Sequence, residues 1–300
     1  MFHLQKILPR VFCEILKSYL SNRQFRIQQD QTTTNWYQIR AGVPQGSVLG
    51  PILFLLYTAD IPMDNSTTAA MFADDTAILA TDDTEVAATA KIQEAVNAVH
   101  KWAAQWKIKF NSSKSAKVTF SLRSKALLPV TVNGELIPQL DSVKYLGMHL
   151  DSKLNWSIHV KMKRQQMRER MWNLYWLVGR KSTLSLENKR LLYVSMIKPI
   201  WTYGIQLWGC ASNSNIEIIQ RGQNIALRTL VGAYRYERND DIHNDLKLPH
   251  VMDEIRRIAD AHESRLHQHV NVTAIQLLDN SQEVRRLKRF KPNDLPSRYN

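Results

Sequence analysis

Two adjacent carboxylates, Asp74 and Asp75, lie between two short apolar runs, and they limit the local structure of this part of the chain. Residues 69–73 and 76–80 have the composition of short strands, and an Asp pair is common in turns. We therefore predict a β-hairpin with Asp74 and Asp75 at its tip. Carboxylates on a rigid hairpin suit a divalent cation, since Mg²⁺ binds one or two of them together with substrate phosphates. A solvated turn is the alternative interpretation.

A loop with three glycines and two prolines occupies residues 41–51, ahead of this hairpin. Glycine lets the backbone approach a ligand closely, and free N–H groups before a helix can bind an anion. Ser47 is placed to cap the helix predicted at residues 52–57. A plain connection between a strand and a helix is the alternative. The loop is not a phosphate-binding P-loop, because no Gly-Lys-Ser/Thr sequence ends it.

The first half of the chain alternates predicted helices and strands. Hairpins are predicted at residues 25–40 and at 130–137, where Asn-Gly suits a tight turn. Single strands are predicted at 116–122 and 143–150, and a helix begins where Asp82 and Glu85 have capping-box spacing. The predicted core faces of the helices are Val11, Phe12, Ile15, Leu16, Tyr19 and Leu20, then Ile92, Ala95, Val96, Val99, Trp102, Ala103 and Trp106. This pattern predicts an α+β fold rather than a doubly wound sheet.

Positive charge is concentrated in the second half of the chain. Residues 1–150 carry 15 Lys/Arg against 12 Asp/Glu, and residues 151–300 carry 25 against 15. This asymmetry favours nucleic acid as a partner of the second half. Within a helical region at 153–190, exposed cations are predicted to follow a phosphate backbone without reading bases, and they are Lys161, Lys163, Arg164, Arg168 and Arg170. A solvated basic face is the alternative.

The remaining helices of the second half are predicted at residues 184–197, 216–230 and 252–267. The apolar face of the basic region is assigned to Ile158, Met162, Leu174, Tyr175, Leu177 and Val178. Aromatic residues between the helices are assigned to the core rather than to stacking on a ligand, and they are Trp201, Tyr203, Trp208, Tyr234 and Tyr236.

The chain contains only two cysteines, Cys13 and Cys210, and no Cys/His pair at zinc spacing. Neither a disulfide framework nor a structural zinc site is expected, and a reducing compartment fits best. The N-terminal residues do not have the pattern of a signal peptide, and no apolar run makes a membrane span. We expect an intracellular protein of the nucleus and cytoplasm, with no membrane partner.

Three motifs together resemble the reverse transcriptase of a non-LTR retrotransposon, in particular the jockey-like elements of insects. In chain order they are Ala41-Gly42-Val43-Pro44-Gln45-Gly46-Ser47-Val48-Leu49-Gly50-Pro51, Phe72-Ala73-Asp74-Asp75 and Lys144-Tyr145-Leu146-Gly147. The resemblance covers nearly the whole chain. It implies an RNA-directed DNA polymerase that adds a dNTP to a DNA primer on an RNA template, with two Mg²⁺ ions, or Mn²⁺ in their place.

The resemblance also implies roles for particular residues. Asp74 is the main metal ligand and Asp75 a supporting one, and both count as catalytic. Lys114 lies roughly where the family has a lysine that protonates the departing pyrophosphate. The loop that supports the template base and the incoming nucleotide contains Gly42, Pro44, Gln45 and Gly46. The turn that resembles the primer grip contains Tyr145, Leu146 and Gly147.

Under this resemblance the chain has three parts. Residues 1–150 form a partial palm (an antiparallel sheet with helices), residues 151–235 a basic helical thumb-like region, and residues 236–300 a helical segment with a basic tail. The family's third carboxylate lies on a strand N-terminal to every motif present, and residues 1–9 resemble the segment after it. We therefore expect a larger polyprotein whose N-terminal fingers and endonuclease part are missing. The 300 residues alone are expected to be inactive, because the first catalytic Asp is absent.

Two alternatives remain open at this point. The chain is a non-catalytic, nucleic-acid-binding remnant of such a polymerase if only its basic region is functional. Paired carboxylates also occur in two-metal nucleases, although the Pro-Gln-Gly loop has no role in that chemistry.

Overall fold

The structure is a computed structural model and describes residues 8–44, 46–121, 128–278 and 290–295. The chain divides into two compact units. Unit 1 comprises Met1–Ala116 and Ala126–Pro138, and unit 2 comprises Lys117–Lys125 and Gln139–Asn300. The last boundary between the two units therefore lies between Pro138 and Gln139, before residue 150, where we predicted the end of the palm. The three predicted functional parts stay a prediction.

The described part of unit 1 combines three helices with four antiparallel strand pairs. The helices are α1 (Arg10–Leu20), α2 (Leu49–Thr58) and α3 (Glu85–Trp106), with a 3₁₀ turn at Ser112–Lys114. The strands are β1 (Gln24–Phe25), β2 (Gln28–Gln29), β3 (Thr32–Thr33), β4 (Tyr37–Gln38), β5 (Thr67–Phe72), β6 (Asp75–Ala80), β7 (Val130–Val132) and β8 (Glu135–Ile137). The pairs are β1 with β4, β2 with β3, β5 with β6 and β7 with β8. These elements confirm the predicted α+β class.

The N-cap residue of helix α3 is Thr84, whereas the sequence predicts a capping box between Asp82 and Glu85. The Thr84 hydroxyl accepts a hydrogen bond from the Ala87 N–H at 3.2 Å, because Thr84 stands directly before the first helical residue. Asp82 instead pairs with Lys91 at 2.9 Å. The predicted stripe is buried at Ala95, Val99, Trp102 and Ala103, on a helix that lies against β6 and β7.

The core around α1 and α2 is small. Cys13, Leu16 and Leu53 are its buried members. Phe12 and Ile15 are more than half exposed, so the prediction that the whole apolar face of α1 is core was wrong. Spacing identifies an apolar face on a helix, but it does not say what covers that face.

Unit 2 is mostly helical. Its one hairpin is β9 (Ser142–Tyr145) with β10 (Met148–Asp151) among the described residues. The helices are α4 (Ser157–Asn173), α5 (Tyr175–Val178), α6 (Leu186–Leu192), α7 (Lys198–Thr202), α8 (Ile205–Trp208), α9 (Asn213–Val231), α10 (Asn239–Leu246), α11 (Val251–His267) and α12 (Val272–Ile275). A π-helical turn spans Tyr193–Ile197, and 3₁₀ turns span Gln276–Leu278 and Pro292–Asp294. The basic stretch at 281–289 lies outside the described residues.

Among the described residues of unit 2, one continuous hydrophobic core includes side chains from Met148 to Leu295. Trp201 and Trp208 are fully buried in it, as predicted. Tyr203, Tyr234 and Tyr236 are between 51% and 81% exposed, so their assignment to the core was wrong. No helix in the described ranges combines the length and the apolar character that crossing a membrane requires.

Two predicted strands differ in the structure. Residues 143–150 form most of the β9–β10 hairpin instead of one strand, because Leu146 and Gly147 adopt positive φ values of 45° and 76° and turn the chain. Residues 116–121 contain only an isolated bridge between Lys117 and Gln139, and Leu122 lies outside the described residues.

His159 on α4 should make unit 2 sensitive to mild acid. Its ring is fully buried, Nδ1 accepts a hydrogen bond from the His149 N–H at 3.2 Å, and Nε2 has no partner among the described residues. Burial, with Lys163 and His149 adding repulsion, lowers the pKa of His159 to about 4. In the unfolded state the histidine has a pKa of ~6.5. Between this value and the lower folded pKa, the unfolded state therefore binds a proton that the folded state does not bind.

Stability should therefore be unaffected by His159 above about pH 6.5 and fall by ~1.4 kcal/mol per pH unit from there towards the folded pKa. Urea unfolding at pH 7 and pH 5, followed by circular dichroism, measures this. His159→Asn keeps an acceptor for the His149 N–H and should reduce the pH dependence. An equal loss of stability in wild type and variant would contradict the assignment to His159.

Candidate functional site

Asp74 and Asp75 lie at the β5–β6 turn, one residue out of the predicted register. Phe72 pairs with Asp75, so Asp75 is the first residue of β6 and the two-residue turn is Ala73-Asp74. Ala73 has a backbone φ of 52°, in the left-handed region that residues other than glycine rarely adopt. The predicted tip at Asp74 and Asp75 is therefore corrected to Ala73 and Asp74.

Both carboxylates are exposed, and neither has a hydrogen-bond or ion-pair partner among the described residues. The β5–β6 pair is also more open than a hairpin buried on both faces, since Met71 and Phe72 are 48% and 65% exposed. Within the described ranges, no group of three or more His, Cys, Asp or Glu residues is placed to hold a metal. Two free carboxylates fit Mg²⁺ that takes its other ligands from water and substrate phosphates.

The Gly/Pro loop before α2 is held by local hydrogen bonds. The Ser47 hydroxyl donates to the Pro44 carbonyl at 2.9 Å and accepts from the Gly50 N–H at 2.9 Å. Ser47 thus satisfies an N–H of the first turn of α2, but the helix begins at Leu49 rather than 52 and its N-cap residue is Val48, not Ser47 as predicted. Gly42 and Gly46 have φ values of 83° and 80°, which explains glycine at both positions. Gln45 lies outside the described residues.

Lys114 ends the 3₁₀ turn that follows α3, and its side chain is exposed. This turn is held to the β7–β8 hairpin through a hydrogen bond from the Ser112 hydroxyl to Glu135. Lys114 and the carboxylates belong to the same compact unit. Its predicted role in protonating pyrophosphate stays a prediction.

The turn at Tyr145-Leu146-Gly147 is braced by Tyr203, which is not the core residue that the sequence predicts. The Tyr203 hydroxyl donates to the Leu146 carbonyl at 2.7 Å. A Cβ on Gly147 would lie 3.1 Å from Tyr203 Cε1, so glycine allows the ring to approach closely. The sequence separation of 57 residues between donor and acceptor leaves no local pattern from which this contact could be read.

Removing the Tyr203 hydroxyl should loosen this turn. Tyr203→Phe keeps the ring against Gly147 but leaves the Leu146 carbonyl to water, at an expected cost of ~0.5–1.5 kcal/mol. Amide exchange at the turn should accelerate, and the urea midpoint should fall slightly. Tyr175→Phe is the control, because Tyr175 is similarly exposed at 56% and its hydroxyl has no partner among the described residues. Unchanged exchange at the turn in Tyr203→Phe would refute the bracing role.

The five cations predicted to contact a nucleic-acid backbone all lie on α4, but not all on its exposed face. Lys161, Arg168 and Arg170 are exposed, as predicted. Lys163 is only 8% exposed and its Nζ lies 5.1 Å from the Tyr203 ring centre, so the expectation of an exposed Lys163 was wrong. Arg164 is half-buried. Burial lowers the pKa of Lys163, and Lys144 adds to the shift.

The reason for this error is the composition of the inward face of α4. That face contains Val160, Lys163 and Met167, whereas the predicted apolar face contained Ile158 and Met162. A polar residue on the inward side breaks the apolar periodicity by which a buried face is recognised.

Lys163 and Arg170 line an open cleft of about 430 Å³ between α4 and the segment from Ser195 to Tyr203. Its other lining residues are Gln166, Ser195, Met196, Pro199, Ile200 and Tyr203. Two cations and several hydrogen-bonding groups beside the braced turn suit an anionic ligand such as a phosphate. Ser195 and Tyr203 were not among the predicted site residues, since only the packing of α4 against this segment brings them together.

Comparison with known proteins agrees with these elements. Residues 2–150 match the family model described as reverse transcriptase (RNA-dependent DNA polymerase). The chain is 38% identical over 300 residues to the probable RNA-directed DNA polymerase from transposon X-element of Drosophila melanogaster, covering 98% of this chain and 33% of the relative. It is 36% identical over 313 residues to the RNA-directed DNA polymerase from mobile element jockey of the same species, covering 99% and 34%.

The chain belongs to the reverse transcriptase family. Its similarity to the X-element and jockey polymerases extends over nearly its whole length, which places it with the non-LTR, jockey-like group as the motifs indicated. The chain spans about a third of the length of the curated relatives that it matches.

Proposed function

We propose that this chain is the C-terminal part of an RNA-directed DNA polymerase, in which the Ala73–Asp75 turn contributes two carboxylates to a two-metal nucleotidyl-transfer site. The observation that carries the proposal is the Asp pair on an exposed hairpin turn, without partners among the described residues, inside the segment that matches the reverse transcriptase family. Carboxylates with no other interaction are available to a cation.

In the proposed reaction a primer 3′-hydroxyl attacks the α-phosphorus of a dNTP in line. The bond from that phosphorus to the bridging oxygen breaks, and pyrophosphate leaves. When bound, Mg²⁺ or Mn²⁺ would activate the hydroxyl and neutralise the leaving oxygens. Asp74 would be the main metal ligand, Asp75 the supporting one, and Lys114 the proton donor to pyrophosphate. The loop residues Gly42, Pro44, Gln45 and Gly46 would support the template base and the dNTP.

We further propose that unit 2 holds the RNA template and the DNA primer through their phosphates. The exposed cations Lys161, Arg168 and Arg170, with Lys163 in the adjoining cleft, support this role. The turn at Tyr145, Leu146 and Gly147 would contact the primer beside that cleft. Contacts of this kind recognise the shape of an RNA–DNA hybrid and not its sequence.

The exposed apolar side chains of unit 1 support a further part of this proposal, that more polypeptide packs there. Phe12, Ile15, Ile52 and Leu55 are all more than half exposed, and side chains of this kind mark interaction surfaces when they are contiguous. Relatives about three times longer have the additional chain length. The predicted location in the nucleus and cytoplasm stays a prediction.

Metal-directed cleavage tests the metal site without requiring polymerase activity. Fe²⁺ replaces Mg²⁺ at carboxylate sites and, with ascorbate and peroxide, cleaves the nearby backbone. We expect cleavage within a few residues of Asp74, competed by Mg²⁺ and lost in the double variant Asp74→Asn, Asp75→Asn. Asp30→Asn is the matched control, because Asp30 is also an exposed aspartate at a hairpin turn. Cleavage that is absent near residue 74, or unchanged in the double variant, would count against the site.

A non-catalytic nucleic-acid-binding remnant is the second candidate, and the exposed cations of α4 favour it. It predicts salt-sensitive, sequence-tolerant binding that survives Asp74→Asn. Binding to an RNA–DNA hybrid, measured by fluorescence anisotropy over a salt series, tests it. Undetectable binding at low salt would exclude this candidate.

A further inference from the structure

Three flat groups stack at an exposed position: two are tyrosines of the loop between α9 and α10, and the third is an arginine of the segment after α5. The rings of Tyr234 and Tyr236 are parallel, with 2° between their planes and 5.6 Å between their centres. The guanidinium carbon of Arg180 lies 4.5 Å from the centre of the Tyr234 ring. Tyr236 is 81% exposed, so most of its ring faces solvent. We call these residues, Arg180, Tyr234 and Tyr236, the Arg–Tyr stack.

The loop that contains both tyrosines is fixed by hydrogen bonds from Arg228 of α9. Arg228 donates to the Glu237 carbonyl at 2.9 Å, to Asn239 Oδ1 at 3.2 Å and to the Tyr234 carbonyl. Gly232 is the C-cap that follows α9, with φ 66°, and a Cβ there would lie 3.3 Å from Arg180 Cγ. The rings are therefore positioned before any ligand arrives, which lowers the entropy lost on binding.

The surroundings of the stack are mainly cationic. Arg180, Lys181, Arg235 and Arg238 are exposed, and the acidic residues of the loop and of the first turn of α10 are Glu237, Asp240 and Asp241. Asp240 lies 3.9 Å from Arg238, which partly offsets its charge, and 3.5 Å from the His250 ring. Exposed aromatic rings among cations are the arrangement by which proteins bind single-stranded nucleic acid, since every base can stack on a ring while cations contact the backbone.

We propose that the Arg–Tyr stack binds an unpaired base of single-stranded RNA or DNA, with Tyr236 as the stacking surface. A base in a duplex is already stacked on both faces, so the stack selects single strands over duplexes. This inference extends the proposed function by a contact for unpaired nucleic acid in the C-terminal part of unit 2. It requires neither a metal ion nor a dNTP, so it can stand or fail independently of nucleotidyl transfer.

Binding of a fluorescein-labelled 12-nucleotide oligo(U), and of oligo(dT), to the 300-residue chain tests the proposal by anisotropy. Tyr236→Ala should weaken single-strand binding by ~5- to ~100-fold, the range typical of one base–aromatic stack. Binding of a duplex of the same length should change less than about twofold. Tyr236→Phe keeps the ring and should bind nearly as wild type. The slope of log Kd against log salt should be unchanged in Tyr236→Ala, because no charge is removed.

Two controls separate stacking from other effects. Tyr37→Ala removes a tyrosine that is also exposed, at 51%, and paired with an aromatic ring, Phe25, at 5.5 Å, and it should leave single-strand affinity within about twofold. Asp74→Asn should leave the affinity for oligo(U) within about twofold, although it removes the proposed main metal ligand, and this distinguishes the two sites. Photocrosslinking of 5-iodouracil RNA should map to Tyr236. The proposal is overturned if Tyr236→Ala binds single strands as wild type does, if Tyr236→Phe is as weak as Tyr236→Ala, or if wild type binds no single strand at low salt.

Discussion

Replacing Asp74 with asparagine should abolish nucleotide incorporation, with an expected loss of ~10³-fold or more, because metal stabilisation of the transition state contributes several kcal/mol. The assay is Mg²⁺-dependent primer extension on a poly(rA) template by a chimera in which residues 1–300 replace the matching third of the jockey polymerase. Asparagine keeps the size of the side chain but removes the charge that binds a hard cation. Asp75→Asn should lose less activity, as a supporting ligand does.

The matched control for this experiment is Asp30→Asn in the same chimera, since Asp30 also lies at an exposed hairpin turn. It should retain full activity. Robust incorporation by the Asp74→Asn chimera would refute the metal-ligand role. Robust incorporation by the 300-residue chain alone would instead refute our expectation that it lacks a required carboxylate.

Replacing Trp208 with alanine should destabilise unit 2 by ~3–5 kcal/mol, the range for deleting a buried aromatic side chain. Trp208 is fully buried in the core of unit 2, and its indole N–H donates to the Tyr203 carbonyl at 3.2 Å. The substitution leaves a cavity and an unpaired carbonyl, since the surrounding helices relax only partly. Urea unfolding followed by circular dichroism at 222 nm measures the loss.

Trp172→Ala is the control for this prediction. Trp172 is also a helical tryptophan of unit 2, but it is 79% exposed, so its removal should change stability by less than ~0.5 kcal/mol. Trp208→Phe retains most of the apolar volume, so its loss of stability should lie between those of Trp172→Ala and Trp208→Ala. Equal effects of Trp172→Ala and Trp208→Ala would contradict the burial of Trp208 in the core of unit 2.

Much of the local structure was predictable because its signals are local. Asn133-Gly134 predicted the β7–β8 turn, where both residues have positive φ values. The apolar stripe of α3 predicted its buried residues at Ala95, Val99 and Trp102. The predicted register was wrong where backbone conformation overrides residue preference. The turn was predicted at Asp74 and Asp75, but Ala73 adopts a positive φ and the turn is Ala73-Asp74.

The sequence by itself determined the family and the α+β class, because three motifs keep their order and because short-range periodicity and turn residues encode helices and strands. Only the tertiary structure decided which side chains are exposed. Lys163 is buried against Tyr203, whereas Tyr234 and Tyr236, assigned to the core, stack in solvent beside Arg180. Burial depends on what packs over a residue from distant parts of the chain, and no spacing of residues along one helix or loop contains that information.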